Sequence, residues 1–427
     1  MDFIALPDAP RLRLENLTAP ACLIGGAGGL ARIDLTVDRA TGRITDAPAD
    51  AAVDMSRAMA LPCFVDAHTH IDKGHIWGRA PNPDGTFMGA LTTVGADREA
   101  NWSAADLRAR ADFSLRCAYA HGTRAVRTHL DSIAPQPEIS WPVFRDLRDA
   151  WAGRIELQAV SLVGADFIEP TGDGGAPFQA LAKLVAQSGG VLGAVTWPLP
   201  DLGERLDVFF RTAARLGLDA DFHVDETMDP SSRTLAEIAK SILRTGFQGR
   251  VNAGHCCSLS TQPESDADRC LDLVAEAGIA VISLPMCNMY LQDRHAGRTP
   301  RGRGVTLVQE MTARGIPVAF ASDNTRDPFY AYGDLDMLEV MREAVRIAHL
   351  DHGRDDWPLA FAQTPARICG MAEAALAPGA PADLVLFKAR AWSELLSRPQ
   401  SDRVVLRAGK AVDRTLPDYA ELDGIMA

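Results

Sequence analysis

Four short stretches of this chain hold side chains that can bind a metal or move a proton. FVDAHTHID sets His68 and His70 two residues apart, DFHVDE holds His223 and Glu226, NAGHCC holds His255, and FASDN holds Asp323 and Asn324. On a strand, positions i and i+2 face the same side, so His68 and His70 can aim both imidazoles at one ion. His223 and Glu226 are three apart, which would put them on opposite faces of a continued strand. Glu226 must therefore lie past the strand end, where a loop can turn it back. Singly, each stretch has a plainer explanation: a pair of loop histidines, a structural histidine beside Cys256, or an Asp-Asn turn. The chain has only ten histidines in 427 residues. Their arrival in the order HxH, HxxE, H, then D points to one metal centre.

The elements that must position these residues are visible as an alternation. Eight apolar runs, ALPCFVDAH, RAVRTHLD, RIELQAVSLVG, GVLGAVTW, LDADFHVDE, GRVNAGHCC, IAVISLPMCN and IPVAFASD, are separated by stretches such as SSRTLAEIAKSILRTG. Short β-forming runs between amphipathic helices predict parallel strands with crossover helices. Eight of them predict an α/β protein built on a closed (β/α)8 TIM barrel, whose active site lies at the C-terminal strand ends. The candidate residues fall at those ends. An open, doubly wound sheet would need a Gly-rich phosphate turn, and no GxGxxG follows a strand. Residues 1–58 and 373–427 hold short β-like pieces (ACLIGG, ARIDLTVD, PADLVLFKA, RVVLRAGKAV) and predict one small β-domain built from both chain ends. Residues 59–372 form the barrel. RAPNPDGT, from Arg79 to Thr86, reads as a loop over its mouth.

Composition narrows the partners. The net charge of −13 argues against a nucleic-acid or anionic-membrane surface. No apolar run reaches bilayer-spanning length, no signal peptide is evident, and the eight cysteines form no CxxC pair. A cytoplasmic protein with free thiols and a small-molecule substrate is expected.

The chain resembles the amidohydrolase superfamily, and within it the cytosine deaminase branch. The resemblance rests on FVDAHTHID, VRTHLD, DFHVDE, the GH of NAGHCC, SDNTRDPFYAYGDLDML and the closing PADLVLF. It implies one divalent ion per chain, Zn²⁺ or Fe²⁺, held by His68, His70, His223 and Asp323. Such an ion lowers the pKa of a bound water to give hydroxide near neutral pH. In this resemblance Asp323 accepts that water's proton, Glu226 shuttles a proton to the ring nitrogen, and His255 orients the hydroxide. The activity implied is hydrolytic release of ammonia from a cytosine-like heterocycle, cytosine or a 5-substituted cytosine such as 5-methylcytosine. An N-alkyl ammelide or creatinine is the alternative, and a homo-oligomer is expected.

Binuclear members of that superfamily use a carboxylated lysine at the end of the fourth strand. This chain has lysines only at 73, 183, 240, 388 and 410, so VLGAVTWPLP has none and a single ion is expected. Two pocket positions depart from the cytosine enzymes. Gly164 stands where they carry a glutamine, Gln158 being earlier in the strand, and Asn324 stands where they carry an aspartate facing the ring. A neutral Asn324 would accommodate a ring substituent that a charged aspartate rejects. Trp77 and Phe329 could stack on a planar heterocycle. Arg127, Thr128, His129 and Asp72 read as braces for the histidines, Lys73 as a surface or mouth-lining cation with a substrate contact as the alternative, and Asn288 as a turn residue within reach of the pocket.

Overall fold

The computed structural model describes residues 3–400 and 402–426. Eight parallel strands carry the site: β1 (Phe64–Thr69), β2 (Thr123–Asp131), β3 (Glu156–Leu162), β4 (Leu192–Thr196), β5 (Ala220–Val224), β6 (Val251–His255), β7 (Ala280–Ser283) and β8 (Val318–Phe320). β1 to β3 pair in order, as do β4 to β8. Parallel bridges Val160–Val191 and Gly164–Val195 join β3 to β4, and Thr69–Asp323 joins β1 to the residues after β8, which closes the ring.

Helices cover the outside. In Leu202–Leu216 the buried residues include Leu206, Phe209, Phe210 and Ala213, and in Thr234–Thr245 they include Leu235, Ile238, Ala239 and Ile242. Both sets follow the three-and-four spacing of a single apolar stripe. Inside the barrel, register decides which side chains meet. Arg127 pairs with Gln158, His129 with Val160, Asp221 with Asn252, and His223 with both Val195 and Gly254. These positions alternate with outward residues such as Phe222, which packs on Phe209 at 4.7 Å between ring centroids.

The first apolar run divides in two. Met59–Pro62 is a separate strand that pairs with Leu384–Phe387 and, at Met59, with Thr18. It belongs to a sheet that also contains Arg11–Pro20, Leu30–Asp38, Arg43–Thr45, Ala51–Asp54, Val404–Arg407 and Lys410–Ala411. Strands from the two chain ends thus share one sheet. Within Arg11–Pro20 the register shifts between Leu14 and Leu17, where Asn16 takes φ 57°, the mark of a bulge. No helix among the described residues is long and apolar enough to cross a membrane.

Candidate active site

His68, His70 and His223 converge at the C-terminal end of the barrel. The Nε2 atom of His223 lies 3.1 Å from Nε2 of His68 and 3.1 Å from Nε2 of His70. Asp323 Oδ1 is 3.5 Å from His68 Nε2 and 3.4 Å from His70 Nε2. Strand alternation delivers His68 and His70 to one face, and Gly254 beside them has a packing reason: a Cβ there would stand 2.9 Å from His68 Cε1. Asp323 reaches the centre differently. It lies three residues past β8 at φ 67°, and its backbone bonds to β1 through Asp323 N–H to His68 O and His70 N–H to Asp323 O. Asp66 secures that turn by accepting the Ser322 N–H and hydroxyl.

His255 also depends on an unusual backbone. Alternation from Asn252 and Gly254 would point it outward, yet at φ 68° the chain turns and sets its ring 5.0 Å from that of His223. Its Nδ1 is 2.9 Å from Asn288 Nδ2, and Nε2 is buried without a hydrogen-bond partner. An amide N–H donated to Nδ1 leaves the ring proton on Nε2. Glu226 lies two residues beyond β5, after Asp225 at φ 48°. The Asp225 carboxylate accepts from Ser232, Thr234 and the Leu235 N–H, which anchors the turn. Glu226 Oε1 is then 3.4 Å from Asn288 Nδ2 and 3.5 Å from His255 Nδ1.

The electrostatics favour a cation. Burial, reinforced by neighbouring positive groups, pushes His68, His70 and His223 well below the ordinary imidazole range, so they present neutral lone pairs. Burial raises the Asp323 carboxyl to about 8, and among the described residues neither of its oxygens has a hydrogen-bond partner. Burial, then the charge of Asp323, raises Glu226 well above the usual carboxylate value. Crowded imidazole nitrogens and an unpartnered buried carboxylate make a donor set that suits a divalent ion. His68, His70, His129 and His223 offer nitrogens within 4.8 Å of one another, and so do atoms of His68, His255 and Asp323.

Residues 104–415 match the model of the amidohydrolase family. A pterin deaminase from Rhizobium rhizogenes is 56% identical over 99% of each chain. The chain belongs to the amidohydrolase family, in its deaminase branch. Two solved amidohydrolase-type structures agree in fold. 5-Methylcytosine deaminase from Klebsiella pneumoniae superposes with a TM-score of 0.78 at 26% identity, covering 94% of this chain and 97% of that one. N-isopropylammelide isopropylaminohydrolase from Burkholderia multivorans gives a TM-score of 0.73 at 26% identity, over 94% and 98%. The family is metal-dependent, and the histidine cluster of this amidohydrolase is where an ion fits.

The remaining sequence candidates divide. Phe329 is 5.5 Å from Phe87 and 5.8 Å from the Lys73 ammonium, centroid distances that place it beside the mouth. Asn324 is buried, donates to Asp327 Oδ2 at 2.8 Å, and lies 3.5 Å from Cys287 Sγ. Trp77 is half-buried, its N–H bonded to Arg326 O. Gly164 lies against the indole of Trp197. Gln158 is occupied by Arg127, which donates to its Oε1 at 2.8 Å.

The structure decides between alternatives for Lys73 and Asn288 and changes the reading of Asp72. Lys73 is no surface cation: it is 4% exposed and donates to Asp131 at 2.7 Å. Asp72 braces the Asp131 N–H rather than a histidine. Asn288 is more than a turn residue, since it lies in the helix Pro285–Leu291 and links His255 to Glu226. His129 stands closer to the centre than a brace need be, with its ring 4.0 Å from that of His68 and Nε2 3.4 Å from Asp221. The alternation Arg127, His129, Asp131 in RAVRTHLD carried that signal.

Proposed function

We propose that this chain is a pterin aminohydrolase: it replaces the exocyclic 2-amino group of a 2-amino-4-oxopteridine with oxygen and releases ammonia. The observation that carries this is the 56% identity to a pterin deaminase along 99% of both chains. His68, His70, His223 and Asp323 would hold one divalent ion, and imidazole and carboxylate donors suit Zn²⁺ or Fe²⁺ equally. A bound ion lowers the pKa of a water and polarises it for attack. β4 carries no lysine to bridge a second ion.

The chain's own groups move the protons. Asp323, with both oxygens unpartnered, accepts a proton from the attacking water. His255, its Nδ1 held by Asn288, directs the Nε2 proton at the oxygen as it adds to C2. Glu226, whose carboxyl burial and the charge of Asp323 raise well above the usual value, carries a proton to the ring nitrogen beside C2. That nitrogen's lone pair therefore need not carry charge while C2 is tetrahedral. The proton that Asp323 took from the water then passes to the amine, the C2–N bond breaks and ammonia leaves, and the C2 hydroxyl returns its remaining proton to Glu226 as the C2=O bond forms.

A second reading, a cytosine or 5-substituted cytosine as substrate, is supported by the overlay on 5-methylcytosine deaminase. Ammonia release from pterin, cytosine, 5-methylcytosine and N-isopropylammelide by the metal-loaded enzyme separates the readings. A kcat/KM for pterin about 10²-fold above that for either cytosine supports the first. The reverse order supports the second.

A further inference from the structure

The outer end of β3 and β4 carries a feature that the proton-moving groups do not use. Gly164 follows β3 and bridges to Val195 of β4. Leu162 and Gly164 on one segment are half-buried and flank buried Val163, and Val195 and Trp197 on the next are half-buried and exposed and flank buried Thr196. Leu162 pairs with Asp131 and Val195 with inward-facing His223; Gly164 bridges to Val195, and Trp197 follows two residues past Val195, on the side that alternation carries inward. Trp197 is 37% exposed, and its indole lies directly against Gly164. A Cβ at 164 would stand 2.4 Å from Trp197 Cη2 and 2.3 Å from Asp166 Oδ1. Any side chain at 164 must therefore displace the indole, whereas the Asp166 carboxylate is exposed and free to swing away.

The height of the indole decides what it can touch. Val195 is level with His223 in the sheet. Trp197 is two residues further out, about 5–7 Å beyond the histidine level for a tilted strand. A flat apolar wall one ring's width beyond the reacting carbon would meet the second ring of a fused substrate and stand clear of a single pyrimidine ring.

Resting on the pterin reading above, we infer that Trp197, seated against Gly164, is the wall that packs on the distal ring of a bicyclic substrate and sets selectivity for two rings over one. Glycine at 164 is the condition for that wall.

The test compares the metal-loaded wild type with Trp197→Ala, Trp197→Phe, Gly164→Ala and the Gly164→Ala/Trp197→Ala double variant. kcat/KM is measured for pterin and cytosine, and the pterin Kd is measured separately in the Glu226→Gln background. Trp197→Ala lowers the pterin-to-cytosine selectivity ratio about tenfold, through KM for pterin, and Trp197→Phe restores most of it. Gly164→Ala does the same alone and adds less than about twofold when Trp197 is already Ala, because neighbours acting through one contact are non-additive. An unchanged ratio in Trp197→Ala, or full additivity of the two substitutions, overturns the inference. If the wild type binds pterin through Trp197 but does not deaminate it, the proposed function falls and the wall stands. If it deaminates pterin and Trp197→Ala leaves KM and Kd unchanged, the wall falls and the function stands. Neither binding nor turnover of pterin overturns both.

Discussion

Two buried charged clusters in this chain look alike in composition and differ in satisfaction. At the seam with the terminal sheet, Arg403 is 1% exposed and makes five hydrogen bonds: two to the Asp336 carboxylate at 2.7 and 2.6 Å, and one each to the carbonyls of His121, Gln400 and Pro399. Asp336 also accepts the Leu338 N–H and caps the helix Met337–Ala348. At the mouth, Asp323 is equally buried and accepts nothing. Burial of a charge costs several kcal/mol unless partners replace water. The seam supplies them from the chain. The mouth leaves them to a ligand. Positive φ does not separate the two clusters, since His255, Asp323 and Asp225 share it with Leu335 and Gln400 at the seam; the missing partners mark the mouth as functional.

The contrast is tested first where the effect is largest. Glu226→Gln keeps the side chain's shape and removes its proton transfer, so kcat falls by about 10²–10⁴-fold with metal content unchanged. Elemental analysis alongside turnover checks this, and loss of metal would mean Glu226 is a ligand. Arg403→Met does the opposite: it strips a buried carboxylate of its partner and costs about 3–5 kcal/mol of stability. Denaturant melts should show that loss, with metal stoichiometry preserved in the folded fraction. Asn288→Leu sits between the two kinds of site. It frees the His255 tautomer without touching the ion, and lowers kcat by about 10–100-fold at near-constant Tm.

The smallest effect concerns acid. Burial would push the Asp336 carboxyl up, yet the charges of Arg403 and His121 and the paired N–H groups hold it well below the usual carboxylate range. A depressed folded pKa contributes stability above the unfolded value of about 3.9 and loses it as pH falls through the folded one. The stability gap between wild type and Asp336→Asn should stay flat from about pH 7 to 5 and close below about pH 4. A gap that widens on acidification contradicts the assignment.

Much of this was readable in one dimension, for reasons that differ by residue. His68 and His70 were legible because the period of a strand is two, and the eight strands because each is a short apolar run between stretches of helical period. The split of the first run was not: Met59–Pro62 and Phe64–Thr69 are both apolar, and only pairing assigns them to different sheets. Nor did spacing reveal how His255 and Asp323 face inward, since each depends on a left-handed turn that a non-glycine residue adopts rarely. The partner of Asn288 depends on packing between distant loops. Trp197 lay in plain alternation, but its meaning rests on Gly164, a residue whose role is the side chain it lacks.

The central claim is that the unpartnered cluster at the barrel mouth is the seat of one ion needed for deamination. Stripping the protein with a chelator, returning Zn²⁺ or Fe²⁺ in steps, and following bound metal and ammonia release from pterin together tests it most directly. One ion per chain should bind, activity should rise in proportion, and Asp323→Ala should abolish both. Full deamination by the stripped protein, or stoichiometric binding retained in Asp323→Ala, would contradict it.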